Sequence, residues 1–265
     1  MLQKIALAIL LFTSSLSFAE SVASTSIYPC ANGSILTYFK RPTIITSACP
    51  VPYGQFTLDG GIQYNEFINR DEKWTLPQSK TRIGLPWLSE LSILFPSERI
   101  NSHANILGLF ATQLALKHDI AYTQYWNVAT RVVYIPASGS KDYGTAHDGY
   151  SLNGILAYKT PIFNFTAMAS ISSWSTSSAA GGVRYNSFSP DVCFGWYARN
   201  WLQFYLEVFG QTRTAPNQGA GYNLDTGLIF LITKDFAIDM EIGKSLSGEL
   251  GNFNTYYGGG VSFMF

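Results

Sequence analysis

Few residues of this 265-residue chain have side chains suited to catalysis: it contains three histidines and three cysteines. The histidines are His103, His118 and His147, and the pair nearest to a base and a nucleophile is His147 with Ser151. Four residues of extended strand span about 13 Å, whereas a nucleophile and its base must lie within about 3 Å. His118 is predicted in a short turn and His103 in a loop. We therefore predict that the chain is not an enzyme.

Nine charged side chains fall at alternate positions of segments that have the pattern of β-strands, so that they share one polar face. They are Asp59, Lys80, Arg82, Glu90, Arg131, Glu207, Asp225, Asp239 and Glu241. We predict that this face lines a lumen and binds a small solute, with Lys80, Arg82 and Arg131 contacting an anion and the acids pairing with them or offering a path for cations. A purely structural network is the alternative, because buried charges need partners. No spacing among the His, Asp and Glu residues predicts a metal site, and no cofactor is expected.

Strands are predicted along nearly the whole chain after residue 53. From Gln55 to Asn65 the even positions are mostly apolar and the odd positions mostly polar, the pattern of a strand between two different environments. Ten further segments repeat it, which makes eleven strands. A twelfth candidate, Ala104 to Leu116, also fits helical spacing, so its type has to be decided from its connections.

The connections alternate between short and long when that segment is taken as a strand. The short ones are Pro86–Trp87, Lys117–Asp119, Thr160–Pro161, Arg199–Asn200 and Lys234–Asp235, and the long ones are 67–77, 96–103, 136–149, 173–190, 214–219 and 248–253. This asymmetry and strands of about 9 to 12 residues predict an all-β fold, a transmembrane antiparallel up-and-down β-barrel of about 12 strands. A barrel of that size is expected to have a narrow lumen, since barrels of about eight strands are filled and open porins have 16 to 18.

The composition agrees with a membrane β-protein. Lys+Arg and Asp+Glu each number 17, for a net charge of +0, and 13% of the residues are charged, where about 25% is usual in soluble domains. Aromatic residues make up 15%. The absence of a basic excess excludes nucleic-acid binding, and no apolar stretch after residue 19 approaches the length of a membrane-spanning helix.

The first 52 residues precede the predicted strands. A basic start, an eight-residue apolar run and a small residue at Ala19 follow the order of a cleaved secretory signal peptide. Cys30 and Cys49 come next; in an exported chain they can form a disulfide, and two free thiols are the alternative. The predicted organisation is a signal peptide (1–19), an N-terminal periplasmic segment or lumen plug (20–52) and an outer-membrane β-barrel (53–265).

Several short motifs also resemble a known family. The last strand, Tyr257 to Phe265, alternates and ends in an aromatic residue, which resembles the C-terminal signal that bacterial outer-membrane proteins present to the barrel assembly machinery. The motifs Gly54–Phe56, Thr81–Gly84, Glu90–Leu91, Pro96, Glu207–Gly210, Asn223–Leu228 and Phe236–Gly243 are similar to the MetA-pathway of phenol degradation outer-membrane family. This resemblance implies a twelve-stranded barrel in the outer membrane, in contact with its lipid, and a transporter linked to aromatic degradation. It lends no catalytic residues.

Taken together, these features predict a bacterial outer-membrane protein that acts as a passive channel or transporter for small, aromatic or hydrophobic solutes. No nucleotide-binding loop is present that could drive active transport. A structural or surface-interaction barrel is the first alternative, with the loop from Ser173 to Gly182 contacting a partner. A lipid-modifying barrel enzyme, which would use a lipid-facing His and Ser, is the second.

Overall fold

The computed structural model describes residues 28–30, 34–38, 41, 43–101 and 105–265. The predicted signal peptide and His103 lie outside this part of the chain. One helical turn, α1 (Ile35–Tyr38), precedes the strands. The strands are β1 (Phe56–Phe67), β2 (Glu72–Leu76), β3 (Lys80–Leu85), β4 (Ser89–Leu94), β5 (Glu98–Asn101), β6 (Ile106–Leu109), β7 (Gln113–Tyr122), β8 (Trp126–Ile135), β9 (Gly149–Lys159), β10 (Phe163–Ser175), β11 (Arg184–Arg199), β12 (Leu202–Gln211), β13 (Gly221–Thr233), β14 (Phe236–Ser247) and β15 (Phe253–Met264). A 3-10 turn, Leu250–Asn252, lies between the last two strands.

These strands form one closed antiparallel barrel of twelve passes, which confirms the predicted fold class. Three passes are each split in two, β2 with β3, β4 with β5, and β6 with β7, and the barrel closes where β15 pairs with β1. Backbone hydrogen bonds bridge the splits, from Gln78 to Gly61 at 2.7 Å and from Phe95 to Ser79 at 2.9 Å. The wall therefore continues through the interruptions.

The twelfth strand candidate is a strand, but its predicted limits and the turn after it are wrong. The structure forms β6 and β7 there, and β7 runs on through Lys117 and His118 to Tyr122. The predicted turn at Lys117–Asp119 is thus inside a strand, and the chain turns at residues 123–125. Buried and exposed side chains alternate through this stretch in register with β4 and β8, so pairing with two neighbours extends the strand beyond its apolar residues.

Three of the predicted long loops are shorter than expected. The loop 67–77 contains β2 and the loop 96–103 contains β5, so both form a sheet extension above the barrel. The predicted loop 173–190 shrinks to residues 176–183, because β10 and β11 pair as far as Ser175 and Arg184. All three lie on the same end, which we call the long-loop end; the opposite end, with the chain turns at 86–88, 123–125 and 160–162, is the short-turn end.

The two faces of the wall differ in the way a membrane barrel requires. Large apolar side chains project outward and are exposed, among them Phe56, Leu58, Ile83, Leu91, Leu152, Phe194, Leu206 and Met240. The side chains of the other parity point inward and are buried, and most of them are polar or charged. No helix in the described part of the chain has the length and hydropathy of a membrane span.

Candidate functional site

The inner face of the barrel carries its charges on two opposite walls. The basic wall belongs to β3, β7 and β8, and the acidic wall lies across the lumen on β11 to β14. The basic residues are Lys80, Arg82, Lys117 and Arg131, and the acidic ones are Asp191, Glu207, Asp225, Asp239 and Glu241. Asp59 and Glu90 also lie on the side of the basic wall and pair with Arg82 and Lys117, so a charged solute in the lumen would meet charges of both signs.

A third inner surface, between these walls, consists of hydroxyl and amide groups. It lies on β9, β10 and β11 in the half toward the long-loop end, and its members are Ser151, Asn153, Ser170, Ser172, Ser187 and Ser189. Ser172 Oγ donates to Ser151 Oγ at 2.8 Å, and Asn153 Nδ2 donates to Ser151 Oγ at 3.2 Å and to Ser170 Oγ. These groups both donate and accept, so this hydroxyl face is compatible with many polar solutes.

The other half of the interior, toward the short-turn end, holds the described residues between Tyr28 and Val51 (28–30, 34–38, 41 and 43–51), which we call the N-terminal segment. A disulfide joins Cys30 to Cys49 within it, and Ile35 of α1 is fully buried. Its apolar side chains form one cluster with the inner wall: Cys30, Ile35, Leu36, Tyr38, Ile45 and Cys49 pack with Cys193, Tyr205, Ile229, Ala237 and Met264. Apolar contact with the wall thus fixes the segment in the lumen.

The acidic wall binds the backbone and one cation of this segment. Both oxygens of Glu207 accept backbone N–H groups, from Ile44 at 2.9 Å and from Ile45 at 2.7 Å. Arg41 Nε pairs with Asp239 at 3.4 Å, and its Nη2 donates to the Gly259 carbonyl at 3.2 Å. Hydrogen bonds to a buried carboxylate are among the stronger ones in proteins, so this wall is a main anchor of the segment.

The basic wall binds the same segment through its carbonyls. Lys117 Nζ donates to the carbonyls of Ser47 at 3.1 Å and Cys49 at 2.7 Å, and it pairs with Glu90 at 3.1 Å. Glu90 in turn accepts the backbone N–H of Val51 at 3.0 Å. The ion pair and the backbone groups therefore satisfy each other in a fully buried position.

Arg82 makes a second buried link between this wall and the segment. Its guanidinium pairs with Asp59 at 3.2 Å and donates to the Tyr38 carbonyl, and both charged side chains are fully buried. Ser262 Oγ also donates to Asp59 at 2.6 Å. The seam between β1 and β15, where the barrel closes, is thereby joined to the segment through Asp59.

The described residues of the segment do not fill their half of the lumen. A crevice remains between it and the wall formed by β8 to β13 and reaches the short-turn end, where Tyr125 of the 123–125 turn lines it. Its lining combines segment residues with wall residues, among them Thr37, Ile45, Ala157, Lys159, Thr166, Cys193, Tyr197 and Gln203. Polar groups make up a large part of this lining, and Lys159 Nζ donates across it to Thr37 Oγ1 at 2.9 Å.

All nine charged residues singled out in the sequence lie on the inner face. Asp59, Arg82, Glu90, Glu207 and Asp239 contact the segment or one another, as described above, and Asp225 accepts a hydrogen bond from Tyr256 at 2.7 Å. Lys80 and Arg131 differ: within the described part of the chain no carboxylate lies within 4 Å of either. These two are the cations of the basic wall that have no ion-pair partner among the described residues.

Sequence reasoning missed several charges of the lumen, among them Asp119 of β7 and Lys159 of β9. Lys117 was assigned to a turn, although its alternation with Ala115 and Asp119 gives the correct strand. Asp191 lies on the polar side of an alternating segment but was not chosen. Arg41 lies before the strands, where no periodicity indicates a partner. No cluster of three or more His, Cys, Asp or Glu in the described residues could hold a metal ion.

The structure also brings one serine and one histidine together. Ser89 Oγ lies 3.0 Å from His118 Nδ1, on the outer face where β4 pairs with β7. Ser89 Oγ donates to the Trp87 carbonyl at 3.2 Å as well, so the hydroxyl is engaged in holding the 86–88 turn. Among the described side-chain hydrogen bonds, no other histidine lies this close to a serine, and His147 and Ser151 do not form such a pair. The Ser89–His118 contact therefore fits a hydrogen bond that links two neighbouring strands.

A closed twelve-pass barrel with an apolar outside and a charged lumen defines the porin-like class of membrane β-barrels. More narrowly, the chain belongs to the MetA-pathway of phenol degradation family, whose model matches residues 51–265. The match begins at the end of the N-terminal segment, so nearly all of the segment lies outside it.

Solved barrel structures have the same fold at low sequence identity. The COG4313 outer membrane channel from Pseudomonas putida F1 aligns with a TM-score of 0.59 at 10% identity, over 82% of this chain and 97% of that one. The NanC porin aligns with 0.56 at 15% identity, over 78% and 98%. The KdgM porin in complex with disordered oligogalacturonate aligns with 0.56 at 10% identity, over 79% and 99%. No curated protein matches the chain by sequence.

Proposed function

We propose that the protein is a passive outer-membrane channel for small solutes. The observation that carries this proposal is the closed wall with an apolar outer face and a lumen lined by charges of both signs. The fold neighbours named above as porins or outer membrane channels support it. Export through a cleaved signal peptide at residues 1–19 and insertion by the barrel assembly machinery, with Phe265 as the terminal aromatic, complete this proposal.

Aromatic acids are the solute class we propose for this channel. The description of the family supports the aromatic part. The acid part follows from Lys80 and Arg131, which lie on the basic wall without a carboxylate partner among the described residues. A carboxylate in the lumen would meet these two cations beside the N-terminal segment, whose Arg41 donates to Gln78 at 2.8 Å, and charge-assisted hydrogen bonds would hold it there.

We further propose that the N-terminal segment is a plug that restricts passage at rest. Its support is the set of contacts from both charged walls to one short stretch, residues 38–51, together with the apolar cluster. Such a plug can be loosened without unfolding the barrel, because its described residues are not part of the sheet and are bound mainly by side chains, with one backbone hydrogen bond from Ile35 N–H to the Lys234 carbonyl at 2.9 Å. Passage is then controlled by how often the segment moves.

The test is flux and conductance of the refolded mature chain in liposomes and planar bilayers. We expect benzoate flux above that of protein-free liposomes, reduced several-fold when Lys80 and Arg131 are both replaced by Gln. Glu207→Ala, which removes the acceptor of two backbone N–H groups of the plug, should raise conductance, whereas Asp235→Asn in a turn at the short-turn end should not change it.

Each arm of this test addresses a separate part of the proposal. A folded barrel that shows neither conductance nor flux, with Glu207→Ala equally silent, contradicts the channel and favours a structural or surface-interaction barrel. Conductance with equal flux of benzoate before and after the Lys80 and Arg131 changes rejects aromatic acids as the selected class. Unchanged conductance in Glu207→Ala rejects the plug.

A further inference from the structure

The crevice beside the N-terminal segment ends at a definite level of the wall. Its innermost lining on β9, β10 and β11 is formed by Ala157, Thr166 and Cys193, which are neighbours in register. The next inward-facing positions lie about 7 Å further along the strands. They are Ile155 on β9, Met168 on β10 and Asp191 on β11, which are neighbours in register. The crevice is not lined by Met168, so it stops below this level.

Met168 is the side chain that joins the wall to the segment at this point. It packs against the large apolar cluster described above. It also packs against a second, smaller cluster in which Ala48 of the segment meets Ala129 and Ile155 of the wall. A single flexible thioether side chain thus bridges two clusters across the remaining space, and methionine adapts to such irregular gaps.

The hydroxyl face begins directly above Met168. One inward step further lie Asn153, Ser170 and Ser189, and another step leads to Ser151 and Ser172. The inner surface of β9 to β11 therefore carries a polar crevice below Met168 and a polar face above it. Ile155 on β9 and Met168 on β10 interrupt the polar positions of their strands, whereas Asp191, the register neighbour of Met168 on β11, is polar.

We propose that Met168 is the gate residue of a side passage that runs past the N-terminal segment along β9, β10 and β11 and admits small polar solutes of the sugar and polyol class. This inference rests on the proposed channel function and adds the route, the constriction and a solute class to it. Serine hydroxyls and the Asn153 amide replace the hydrogen bonds that a sugar loses with water, and the width at Met168 sets the size limit.

The passage does not require the segment to leave the lumen. The strip on β9 to β11 lies away from Glu90, Lys117 and Arg82, whereas Glu207 on β12, the register neighbour of Cys193, binds the segment at its edge. Small solutes would slip between the segment and β10 while those anchors remain closed. The gate residue and the plug anchors can consequently be changed one at a time.

The test compares single-channel conductance and arabinose uptake for the full mature chain and four variants. Met168→Ala should raise both by about twofold, and Met168→Trp should lower both by a similar factor, since pore width governs passage. Met240→Ala is the matched control, because this methionine lies on the outer face of β14 and is 49% exposed; it should behave as the unchanged chain. Glu207→Ala tests whether loosening the segment changes the conductance, because Glu207 accepts two backbone N–H groups of the segment. Mobility differences between boiled and unboiled samples on a gel verify that each variant is folded.

The outcomes separate this inference from the channel proposal. Opposite changes in the two Met168 variants, with Met240→Ala unaffected, support the gate. Conductance that rises in Glu207→Ala but is identical in the unchanged chain and both folded Met168 variants overturns the side passage and leaves the channel standing. If no folded variant conducts, including Glu207→Ala, the channel and the passage are both wrong. Uptake of raffinose equal to that of arabinose in Met168→Ala contradicts a constriction at this residue.

Discussion

The two halves of the lumen bury polar groups in different ways. Toward the short-turn end, charged wall residues bind backbone groups of a separate segment, as Glu207 does with Ile44 and Ile45. Toward the long-loop end, wall residues bind each other, as Ser151, Ser172 and Asn153 do. The first half depends on the N-terminal segment for many of its partners, while the hydrogen bonds of the second are made within the wall, where Asn153 Oδ1 and Ser189 Oγ have no partner among the described residues.

This difference indicates which half is a closed interior and which is an open one. Full charges are costly to bury and are retained where partners are fixed, because an uncompensated charge in a low-dielectric interior destabilises the fold. Neutral hydroxyls tolerate both water and solute at lower cost. The charged half is therefore suited to holding a plug, and the hydroxyl half to passing solute.

The largest effect is expected from breaking the most buried ion pair of the plugged half. Arg82→Met leaves Asp59 without its cation and removes a donor to the Tyr38 carbonyl. Loss of one partner of a buried pair costs about 3 to 5 kcal/mol of unfolding free energy. Urea unfolding of the refolded barrel, followed by tryptophan fluorescence, measures this loss.

Two further variants decide whether the pair is the cause. Arg184→Met removes an exposed arginine near the long loops and should leave the unfolding midpoint in place. The double variant Arg82→Met, Asp59→Asn removes the uncompensated charge and should regain part of the loss. A double variant as unstable as Arg82→Met would show that packing of the guanidinium, and not its charge, stabilises this half.

A smaller and local effect is expected for Glu207→Gln. The amide keeps the shape of the side chain but has a single, uncharged acceptor oxygen for the N–H groups of Ile44 and Ile45. Hydrogen bonds to charged groups contribute about 1.5 to 3 kcal/mol, so protection of these amides from hydrogen exchange should fall by roughly 10- to 150-fold. Equal protection in both proteins would mean that Glu207 does not anchor the segment.

The smallest effect is expected in the hydroxyl half. Ser151→Ala removes the acceptor of Ser172 and Asn153, and a neutral hydrogen bond contributes about 0.5 to 1.5 kcal/mol to unfolding free energy. Exchange at Ile44 and Ile45 should stay as in the unchanged chain, since the hydrogen bonds of Ser151 are made within the wall and not to the segment. Lower protection of these amides in Ser151→Ala would contradict the independence of the two halves.

The sequence predicts the barrel well because strand alternation is local information. Each segment such as Gln55–Asn65 shows on its own which side chains share a face, and the inward position of all nine charges follows from it. The prediction was wrong where it relied on the lengths of the connections and not on alternation. A turn was predicted at Lys117–Asp119, although the alternation of the strand continues through these residues. Pairing partners on both sides extended that strand, and they are not visible in its own residues.

The partners of the charged residues could not be predicted. Glu207 is separated from Ile44 and Ile45 by more than 160 positions, and its acceptors meet backbone N–H groups, which every residue has. No residue type marks such an interaction. The Arg41 contact with Asp239 spans a similar separation. A sequence pattern shows that a charge points inward, but only the fold shows what it meets.

The disulfide in the N-terminal segment sets an order of events during biogenesis. Cys30 and Cys49 are 2% and 6% exposed inside a wall that is sealed when β15 pairs with β1. A thiol oxidoreductase is far too large to enter this lumen. While the segment occupies the lumen the sulfurs are out of reach, so the bond has to form before the loop is seated in the barrel.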